Sequence, residues 1–256
     1  MTLVDNSTAK RLGILCFYDK NGRAAKFLDG FLEDLMRNLT DLVVIVNGKI
    51  DDEARKMFGK YTDIIMVREN TGLDVAAYKQ ALLTIGWEKL ETYDEVLCLN
   101  DTIMGPVYPF KEMFETMSRK DVDFWGITAY AGETVNDEKI PTHLQAYWHA
   151  YRRSLVSSQA FHEYWENMPL WKDYAEVTRK HEMTFTKHFA QLGFKWASYI
   201  DWRKYKATRL TRCCTCRCKC CATTVARCSS VVPSSLTTVP TSIRPQASQR
   251  WICTIS

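Results

Sequence analysis

Short apolar runs alternate with helical patterns from Leu12 to Ile200, and this alternation constrains the fold more than any other feature of the chain. Leu42 to Val46 is almost entirely Val and Ile, which is typical of a strand buried on both faces. Arg23 to Asn38 instead carries its apolar residues at helical spacing. Repeated units of strand and helix predict an α/β fold, with a Rossmann-like, mostly parallel sheet flanked by helices and a helical C-terminal part.

The same patterns place the individual elements along the chain. Predicted strands cover Leu12–Tyr18, Leu42–Val46, Ile64–Val67, Glu95–Leu99, Phe124–Thr128 and Lys195–Ile200. Predicted helices cover Arg23–Asn38, Asp51–Phe58, Asp74–Ile85, Pro109–Met117, Ser154–Trp165 and Tyr174–Leu192. The polar segment Ala129–Thr142 predicts a mobile loop, and the aromatic-rich segment His143–Tyr151 predicts an extended element over a cleft.

The last 50 residues differ in composition from all the others. From Ala207 to Ser256 there are seven Lys or Arg, no Asp or Glu, and eight of the ten cysteines. The formal net charge of +4 therefore comes from this tail, and the remainder of the chain is slightly acidic. Basic charge thus gives no indication of a nucleic-acid partner. The other two cysteines, Cys16 and Cys98, lie in apolar runs and are expected to be buried free thiols.

Three interpretations of the tail compete. A disulfide framework needs an oxidising compartment, which nothing else in the chain indicates. A cluster of thiolates could bind a soft metal, but the spaced Cys pairs of a structural zinc site are missing. We favour a frameshift near Lys206. Synonymous codons can be chosen for the tail that, when they are read one base over, encode a sequence with acids, aromatics and turn residues.

The predicted organisation is a flexible N-terminus at 1–11, one domain at 12–205 and a non-native tail at 206–256.

No apolar run approaches the ~20 residues that a membrane-spanning helix needs. The polar start, Met1 to Lys10, lacks the basic flank and the cleavage site of a signal peptide. These observations predict a cytoplasmic protein.

The segment Arg68–Asp74, between a predicted strand and a predicted helix, is the first candidate for a binding site. Ligands of open α/β sheets bind where strands end. Gly72 allows the backbone to approach a ligand closely, and Asp74 is placed to cap the helix that follows. An ordinary turn with a capping residue explains the spacing equally simply.

The second candidate is Asn100-Asp101, which ends an apolar strand and precedes Gly105-Pro106. Oxygen-bearing side chains at a strand end suit Mg²⁺ or Mn²⁺, which commonly bridge substrate phosphates. The alternative is an Asx turn.

Together, these segments resemble the donor half of GT-A glycosyltransferases, and further motifs resemble the bacterial rhamnan synthesis protein F family. The matching motifs are Phe17-Tyr18-Asp19-Lys20, Arg68-Glu69-Asn70 with Gly72 and Asp74, Leu99-Asn100-Asp101, Asp123-Phe124-Trp125-Gly126, His143-Leu144-Gln145, Trp165-Glu166-Asn167 and Gly193-Phe194-Lys195-Trp196. The resemblance implies a GT-A-like transferase that moves a sugar, most simply L-rhamnose from dTDP-L-rhamnose. The implied acceptor is a polysaccharide or a lipid-linked saccharide at the inner face of the plasma membrane, with peripheral membrane association.

The resemblance also implies roles for particular residues. Donor-binding candidates are Tyr18, Asp19, Arg68, Asn70, Gly72, Asp74, Asn100 and Asp101, with Asp101 also the candidate ligand for a divalent cation. An inverting transfer needs a general base, for which His143 is ranked ahead of Glu182. The pair Asn100-Asp101 departs from the Asp-x-Asp pattern, which leaves the role of a metal open.

Three further expectations stay open at this stage. Tyr147 and Trp148 could stack on a sugar near His143. A frameshifted tail would lack the basic groups of the shifted frame, so we expect little transferase activity from this chain. Two other functions compete with the glycosyltransferase. One is a nucleotidyltransferase, which usually has a basic, Gly-rich loop after the first strand, whereas the loop Tyr18–Gly22 here is neither strongly basic nor Gly-rich. The other is a non-catalytic glycan-binding or scaffold subunit.

Overall fold

A computed structural model describes residues 3–135, 137–201 and 203 of the chain. Its strands are β1 Arg11–Phe17, β2 Asp41–Asn47, β3 Ile65–Arg68, β4 Glu95–Asn100, β5 Phe124–Gly126, β6 Ala129–Tyr130, β7 Glu133–Val135, β8 Glu138–Ile140, β9 His143–Leu144, β10 Trp148–Arg152 and β11 Trp196–Ser198. Its helices are α1 Phe27–Met36, α2 Asp52–Phe58, α3 Leu73–Ile85, α4 Trp87–Leu90, α5 Phe110–Ser118, α6 Arg153–Val156, α7 Gln159–Asn167, α8 Tyr174–Val177 and α9 Met183–Gln191, with a π-helical turn Thr178–Glu182 between the last two.

Seven strands form the central sheet in the order β11-β5-β10-β4-β1-β2-β3. Strands β1 to β4 run parallel, β10 runs antiparallel between β4 and β5, and β11 runs parallel to β5. The chain proceeds from β1 outward to β3 and then returns to place β4 on the other side of β1. The strand order therefore reverses between β1 and β4, where a crevice for a ligand is expected at the carboxyl ends.

Alternate side chains of each central strand enter two different hydrophobic cores. Ile14 and Cys16 face α3 and the C-terminal helices, whereas Leu15 and Phe17 face α1, α2 and α5. Both faces of β1 are covered, which explains why its sequence is apolar without polar alternation. The predicted fold class, a mostly parallel sheet flanked by helices, is confirmed. The thiols of Cys16 and Cys98 are buried and free, as expected.

The predictions after residue 128 need more correction. The segment 129–142, predicted as a loop, contains β6 and the antiparallel pair β7–β8. The segment His143–Tyr151 is extended, as predicted, and contains β9 and the start of β10. Strand β10 does not cover a cleft, since it lies between β5 and β4 in the central sheet and its five residues are all buried. The helix predicted over Tyr174–Leu192 is interrupted by the π-helical turn. The segment Ser154–Trp165 forms two helices rather than one.

A buried ion cluster closes the amino end of the sheet. Glu95 accepts hydrogen bonds from Arg11 Nε at 2.6 Å, Arg152 Nε at 3.3 Å and Trp125 Nε1 at 2.9 Å. All three charged side chains are about 2% exposed or less. This cluster fixes β1, β4 and β10 to one another at the end remote from the expected crevice.

In the part of the chain that the structure describes, no helix is both long and apolar enough to cross a membrane. The predicted tail, 206–256, lies outside the described residues, and the division of the chain at residues 12 and 205 stays a prediction.

Candidate functional site

The carboxyl ends of β1 and β4 lie side by side, with Cys16 paired in register with Asn100. Four of the predicted site residues come directly from these two ends: Tyr18, Asp19, Asn100 and Asp101. Helix α3 packs against β1 and β2 and brings its first turn to the same edge of the sheet. The structure therefore brings both sequence motifs to the point where the strand order reverses.

Asp74 and Asn100 form the first contact between the two motifs. The Asn100 Nδ2 amide donates to Asp74 Oδ2 at 2.9 Å, while Asn100 Oδ1 accepts from Thr102 Oγ1 at 2.6 Å. Burial raises the pKa of Asp74 above its ordinary value, although the bonds from Asn100 and Val75 act in the opposite direction. Asp74 is thus a desolvated carboxylate that joins α3 to the end of β4.

The prediction that Asp74 caps α3 is wrong. The helix begins after Gly72, which has a left-handed backbone with φ 72° and makes no side-chain bond to the helix. A Cβ at Gly72 would lie 2.7 Å from Ala76 Cβ, so glycine is required by space as well as by φ. Asp74 lies one residue further along, inside the first turn, and is directed at Asn100 instead.

Asp101 follows Asn100 and has a strongly shifted pKa. Burial raises the pKa of its carboxyl from 3.8 to about 7, aided by the negative charges of Asp74 and Asp19 and opposed by a backbone hydrogen bond involving Tyr18. A carboxylate in this state gains from any cation that approaches it.

Glu182 is the last residue of the π-helical turn and lies near enough to Asp74 for the charge of that carboxylate to act on it. Burial and the charge of Asp74 raise its pKa from 4.5 to about 7, while a backbone hydrogen bond involving Ala146 lowers it. π-Helical turns are rare and often lie at functional sites. An ordinary solvated glutamate, which is the simplest expectation for a helical Glu, is therefore not what the structure contains.

Tyr18 and Asp19 form the rim on the β1 side. The Tyr18 side chain is half exposed. Asp19 Oδ1 accepts from the backbone N–H groups of Asn21 at 2.8 Å and Arg23 at 2.9 Å, and the bond from Arg23 is the largest cause that lowers its pKa. Asp19 thus holds the turn after β1.

Arg68, the last residue of β3, and Asn70, on the turn that follows, lie further out. Arg68 Nη1 donates to Asn47 Oδ1 at 2.5 Å, and Nη2 donates to Thr71 O at 2.8 Å. Asn70 is exposed on the following turn. Sequence reasoning missed Asn47, although a single Asn that ends a Val/Ile run was a usable signal.

His143 is not well placed to act as a base. It is 3% exposed, its Nδ1 lies 2.7 Å from Pro141 O, and its ring stacks on Tyr130 with a centroid distance of 5.2 Å. Burial lowers its pKa below the ordinary value. Trp148 is fully buried in the core, which is the common position of a tryptophan, and it is not available to stack on a sugar. The Tyr147 hydroxyl bonds to Thr128.

Among the residues at this edge of the sheet, Asp101 is the candidate ligand for a divalent cation. Within residues 3–135, 137–201 and 203, no group of three or more His, Cys, Asp or Glu is arranged to hold a metal ion. Asp74 Oδ2 and Asn100 Oδ1 both already accept side-chain hydrogen bonds. Mg²⁺, however, is commonly bound by one or two carboxylates together with substrate phosphates. The edge therefore fits an ion shared with a phosphorylated ligand, and does not fit a metal held by protein alone.

The arrangement defines an α/β protein with an acidic candidate site at the carboxyl ends of β1 and β4. Comparison with known families then assigns the chain. The model of the family described as rhamnan synthesis protein F matches residues 42–219, well over half of the chain. The chain belongs to that family.

Individual relatives are more distant. An uncharacterised protein, y4gN, from Sinorhizobium fredii (strain NBRC 101917 / NGR234) is 26% identical over 186 residues, which cover 72% of this chain and 46% of that protein. The chain thus spans about half the length of this curated relative.

Solved structures share parts of the fold. An inositol-1-phosphate CTP transferase from T. maritima is 10% identical, with a TM-score of 0.47 over 75% of this chain and 86% of that one. A glucosyl-3-phosphoglycerate synthase from Mycobacterium tuberculosis, in complex with Mn²⁺ and UDP-glucose, is 12% identical, with a TM-score of 0.46 over 75% of this chain and 69% of that one. At these values the likeness carries no assignment of function.

Proposed function

We propose that this chain is a nucleotide-sugar glycosyltransferase that adds a sugar to a growing cell-surface polysaccharide or lipopolysaccharide. The observation that carries the proposal is the convergence of Asp74, Asn100, Asp101 and Glu182 where the strand order reverses. Membership of the rhamnan synthesis protein F family supports L-rhamnose, from dTDP-L-rhamnose, as the sugar. The acceptor is a lipid-linked or polysaccharide chain, which would bring the protein to the cytoplasmic face of the membrane.

The donor would lie across the ends of β1 and β4. Tyr18, half exposed on the rim, offers an aromatic face to the nucleobase, while the turn that Asp19 holds lines the ribose. Gly72 allows the backbone to enter α3 against Ala76, and Asp74 in the first turn of that helix then contacts Asn100. Asn70 is exposed on the same turn and is the outermost of the proposed donor contacts.

The diphosphate would approach Asp101. A Mg²⁺ or Mn²⁺ ion shared between Asp101 and the phosphates would offset the negative charge of the leaving group. Asn100 and Asp74 are the residues that hold the end of β4 in position beside it.

Glu182 is the general base in this proposal, ahead of His143. An inverting transfer requires one group that takes the proton of the acceptor hydroxyl as the new bond forms. A carboxylate with a pKa of about 7 is an effective acceptor for that proton near neutral pH. His143 has a lowered pKa and has Nδ1 directed at a backbone carbonyl.

The test is a thermal-shift panel on the full chain. The ligands are dTDP-L-rhamnose, dTDP-glucose, UDP-glucose and GDP-mannose, each with Mn²⁺ and with EDTA. A ligand at a hundred times its Kd stabilises the native state by about 2.7 kcal/mol, which is readily measured. We expect dTDP-L-rhamnose to give the largest shift. No shift with any nucleotide sugar, together with a shift from oligosaccharides, would replace the transferase with a non-catalytic glycan-binding subunit.

A further inference from the structure

Arg68 is held in place by neutral acceptors at the carboxyl edge of the sheet. Its Nε donates to Gln80 Oε1 at 2.9 Å, Nη1 to Asn47 Oδ1 at 2.5 Å, and Nη2 to Thr71 O at 2.8 Å. Amide and carbonyl oxygens fix the guanidinium without cancelling its charge. We propose that Arg68 binds the phosphate groups of a nucleoside diphosphate, an inference that rests on the proposed function and names the group that recognises the donor's charge.

The position of Arg68 connects it to the crevice although β3 is an edge strand. Its partner Asn47 ends β2, and Asn47 Nδ2 in turn donates to Leu73 O at 3.0 Å and contacts Cys16 Sγ, on β1, at 3.5 Å. Arg68 and Asn47 are also paired in register. The guanidinium is therefore directed from β3 across the end of β2, towards the end of β1.

The electrostatic surroundings of Cys16 independently place the charges together. The positive charge of Arg68 and the negative charges of Asp74 and Asp101 all act on the Cys16 thiol. Arg68 thus shares one neighbourhood with the two carboxylates, yet lies within 4 Å of no carboxylate in the described part of the chain.

Other fixed arginines of the molecule show what a structural role requires. Arg11 and Arg152 are held as firmly as Arg68, but both share the carboxylate of Glu95. The charge of Glu69 acts on Arg68, but no carboxylate of the described residues forms an ion pair with it. A guanidinium that is ordered and partly desolvated without a paired counter-ion gains from an anionic ligand, because charge-assisted bonds to phosphate oxygens are strong and directional. The side chain also loses little rotamer freedom on binding, since three neighbours already fix it.

Arg68 retains the capacity to bind. A guanidinium has five N–H donors. Among the described residues, Nη1 has one acceptor, Asn47 Oδ1, so its second N–H is available to a ligand oxygen. Burial lowers the pKa of Arg68, but an arginine remains protonated at neutral pH.

The experiment compares phosphate-bearing and phosphate-free probes. The full chain, Arg68→Gln, Arg68→Lys and the control Arg37→Gln would be titrated with dTDP, inorganic pyrophosphate and thymidine in the presence of EDTA. Arg37 is an exposed arginine whose carboxylate partners lie on its own helix. We expect Arg68→Gln to weaken dTDP and pyrophosphate about tenfold or more, with Arg68→Lys intermediate. Thymidine affinity in Arg68→Gln, and all affinities in Arg37→Gln, should stay within about twofold.

The outcomes separate this inference from the proposed function. If dTDP binds the full chain and Arg68→Gln changes its affinity by less than about twofold, the inference is wrong and the proposed function stands. An equal loss of thymidine and dTDP affinity would show that Arg68 only supports the structure, and would also overturn the inference. If dTDP and pyrophosphate bind the full chain only when Mg²⁺ replaces EDTA, the variants are compared in Mg²⁺ by the same criteria. Absence of binding by both probes in EDTA and in Mg²⁺ would overturn both. If Arg68→Gln does not fold, Arg68→Lys decides: unchanged dTDP affinity there contradicts a geometric role for the guanidinium.

Discussion

Both ends of the central sheet contain buried carboxylates. At the amino end the carboxylate is paired with arginines, whereas at the carboxyl end the described residues form no such ion pairs. At the amino end, Glu95 is surrounded by Arg11, Arg152 and the Trp125 indole N–H. At the carboxyl end, burial raises the pKa of Asp74, Asp101 and Glu182, and the charge of Asp74 raises the pKa of the other two further.

This difference distinguishes charged groups that stabilise the fold from charged groups that we propose to bind a ligand. Paired and hydrogen-bonded charges at the amino end hold three strands together, and removing one leaves its partners uncompensated in the interior. Unpaired carboxylates at the carboxyl end cost stability in the free protein, and strongly shifted groups of this kind cluster at functional sites. Substitutions at the two ends should therefore have effects of opposite sign on stability.

The largest effect is expected on the rate of sugar transfer, from Glu182→Gln. Removing the general base should lower kcat by about 10²- to 10⁴-fold, and should abolish the rise of kcat with pH that Glu182 produces as it deprotonates near pH 7. The assay would use the chain with its tail read in the shifted frame, with dTDP-L-rhamnose as donor. His143→Gln is the control, and a loss there as large as in Glu182→Gln would exchange the two roles.

At the amino end, Glu95→Gln should produce the largest loss of folding stability. Two buried guanidinium groups would lose their shared carboxylate, at a cost of about 3–5 kcal/mol in the free energy of unfolding measured with urea. The matched control is Glu33→Gln, which breaks an exposed pair with Arg37 and should change stability by less than about 1 kcal/mol. Equal effects from the two substitutions would remove the distinction between the sheet ends.

The carboxyl end should make folding stability depend on pH with an unusual sign. Asp101 and Glu182 have folded pKa values of about 7, above their unfolded values, so their stabilising contribution is complete below about pH 4 and is lost as the pH rises through about 7. We expect the free energy of unfolding to fall by roughly 2–3 kcal/mol for each group, or about 5 kcal/mol for both, between pH 5 and pH 8, since each pH unit of pKa difference corresponds to about 1.4 kcal/mol. Asp101→Asn should reduce this slope and be more stable than the unmodified chain at pH 8. Stability that rises over this range in both proteins would contradict the assignment.

The smallest effect concerns the backbone beside the site. Gly72→Ala places a methyl group at a positive φ and against Ala76, and should destabilise the fold by about 1–3 kcal/mol. Gly30→Ala is the control, because Gly30 lies inside α1 with nothing within 4 Å of the added Cβ. That change should stabilise the fold by up to about 1 kcal/mol. Thermal melting of both variants at one pH measures the difference.

The sequence was most informative where local pattern and burial agree. Strands β1, β2 and β4 are covered on both faces, so their Val, Ile and Leu runs predicted them within a residue or two. The same reasoning placed Asn100 and Asp101 at a strand end beside the segment that contains Gly72. Parallel strands bring their carboxyl ends to one edge, and this made the meeting of the two motifs predictable.

Beyond residue 128, contacts distant in sequence decide the structure. The sequence of β10 shows only an aromatic-rich segment. In the structure, this strand is inserted between β4 and β5, which both precede it in the chain. The burial of Glu182 depends on a π-helical turn and on the approach of Asp74, and neither is visible in local periodicity. Ranking His143 above Glu182 rested on the aromatic residues near His143 and on the helical pattern around Glu182, and the proposed mechanism reverses that order. Asp74 was misjudged because its partner Asn100 lies 26 residues away.

The most direct test of the account locates the donor on the molecule. The amino end offers a competing site for an anion: a cavity of about 730 Å³ lined by residues that include Asn6, Arg37 and Arg119. Backbone hydrogen exchange of the full chain, measured with and without dTDP-L-rhamnose and Mg²⁺, distinguishes the two ends. The account predicts slower exchange in 18–23 and 100–103, at the ends of β1 and β4, and no change in 4–9 or 118–119. Protection confined to 4–9 and 118–119, at the amino end, would contradict it.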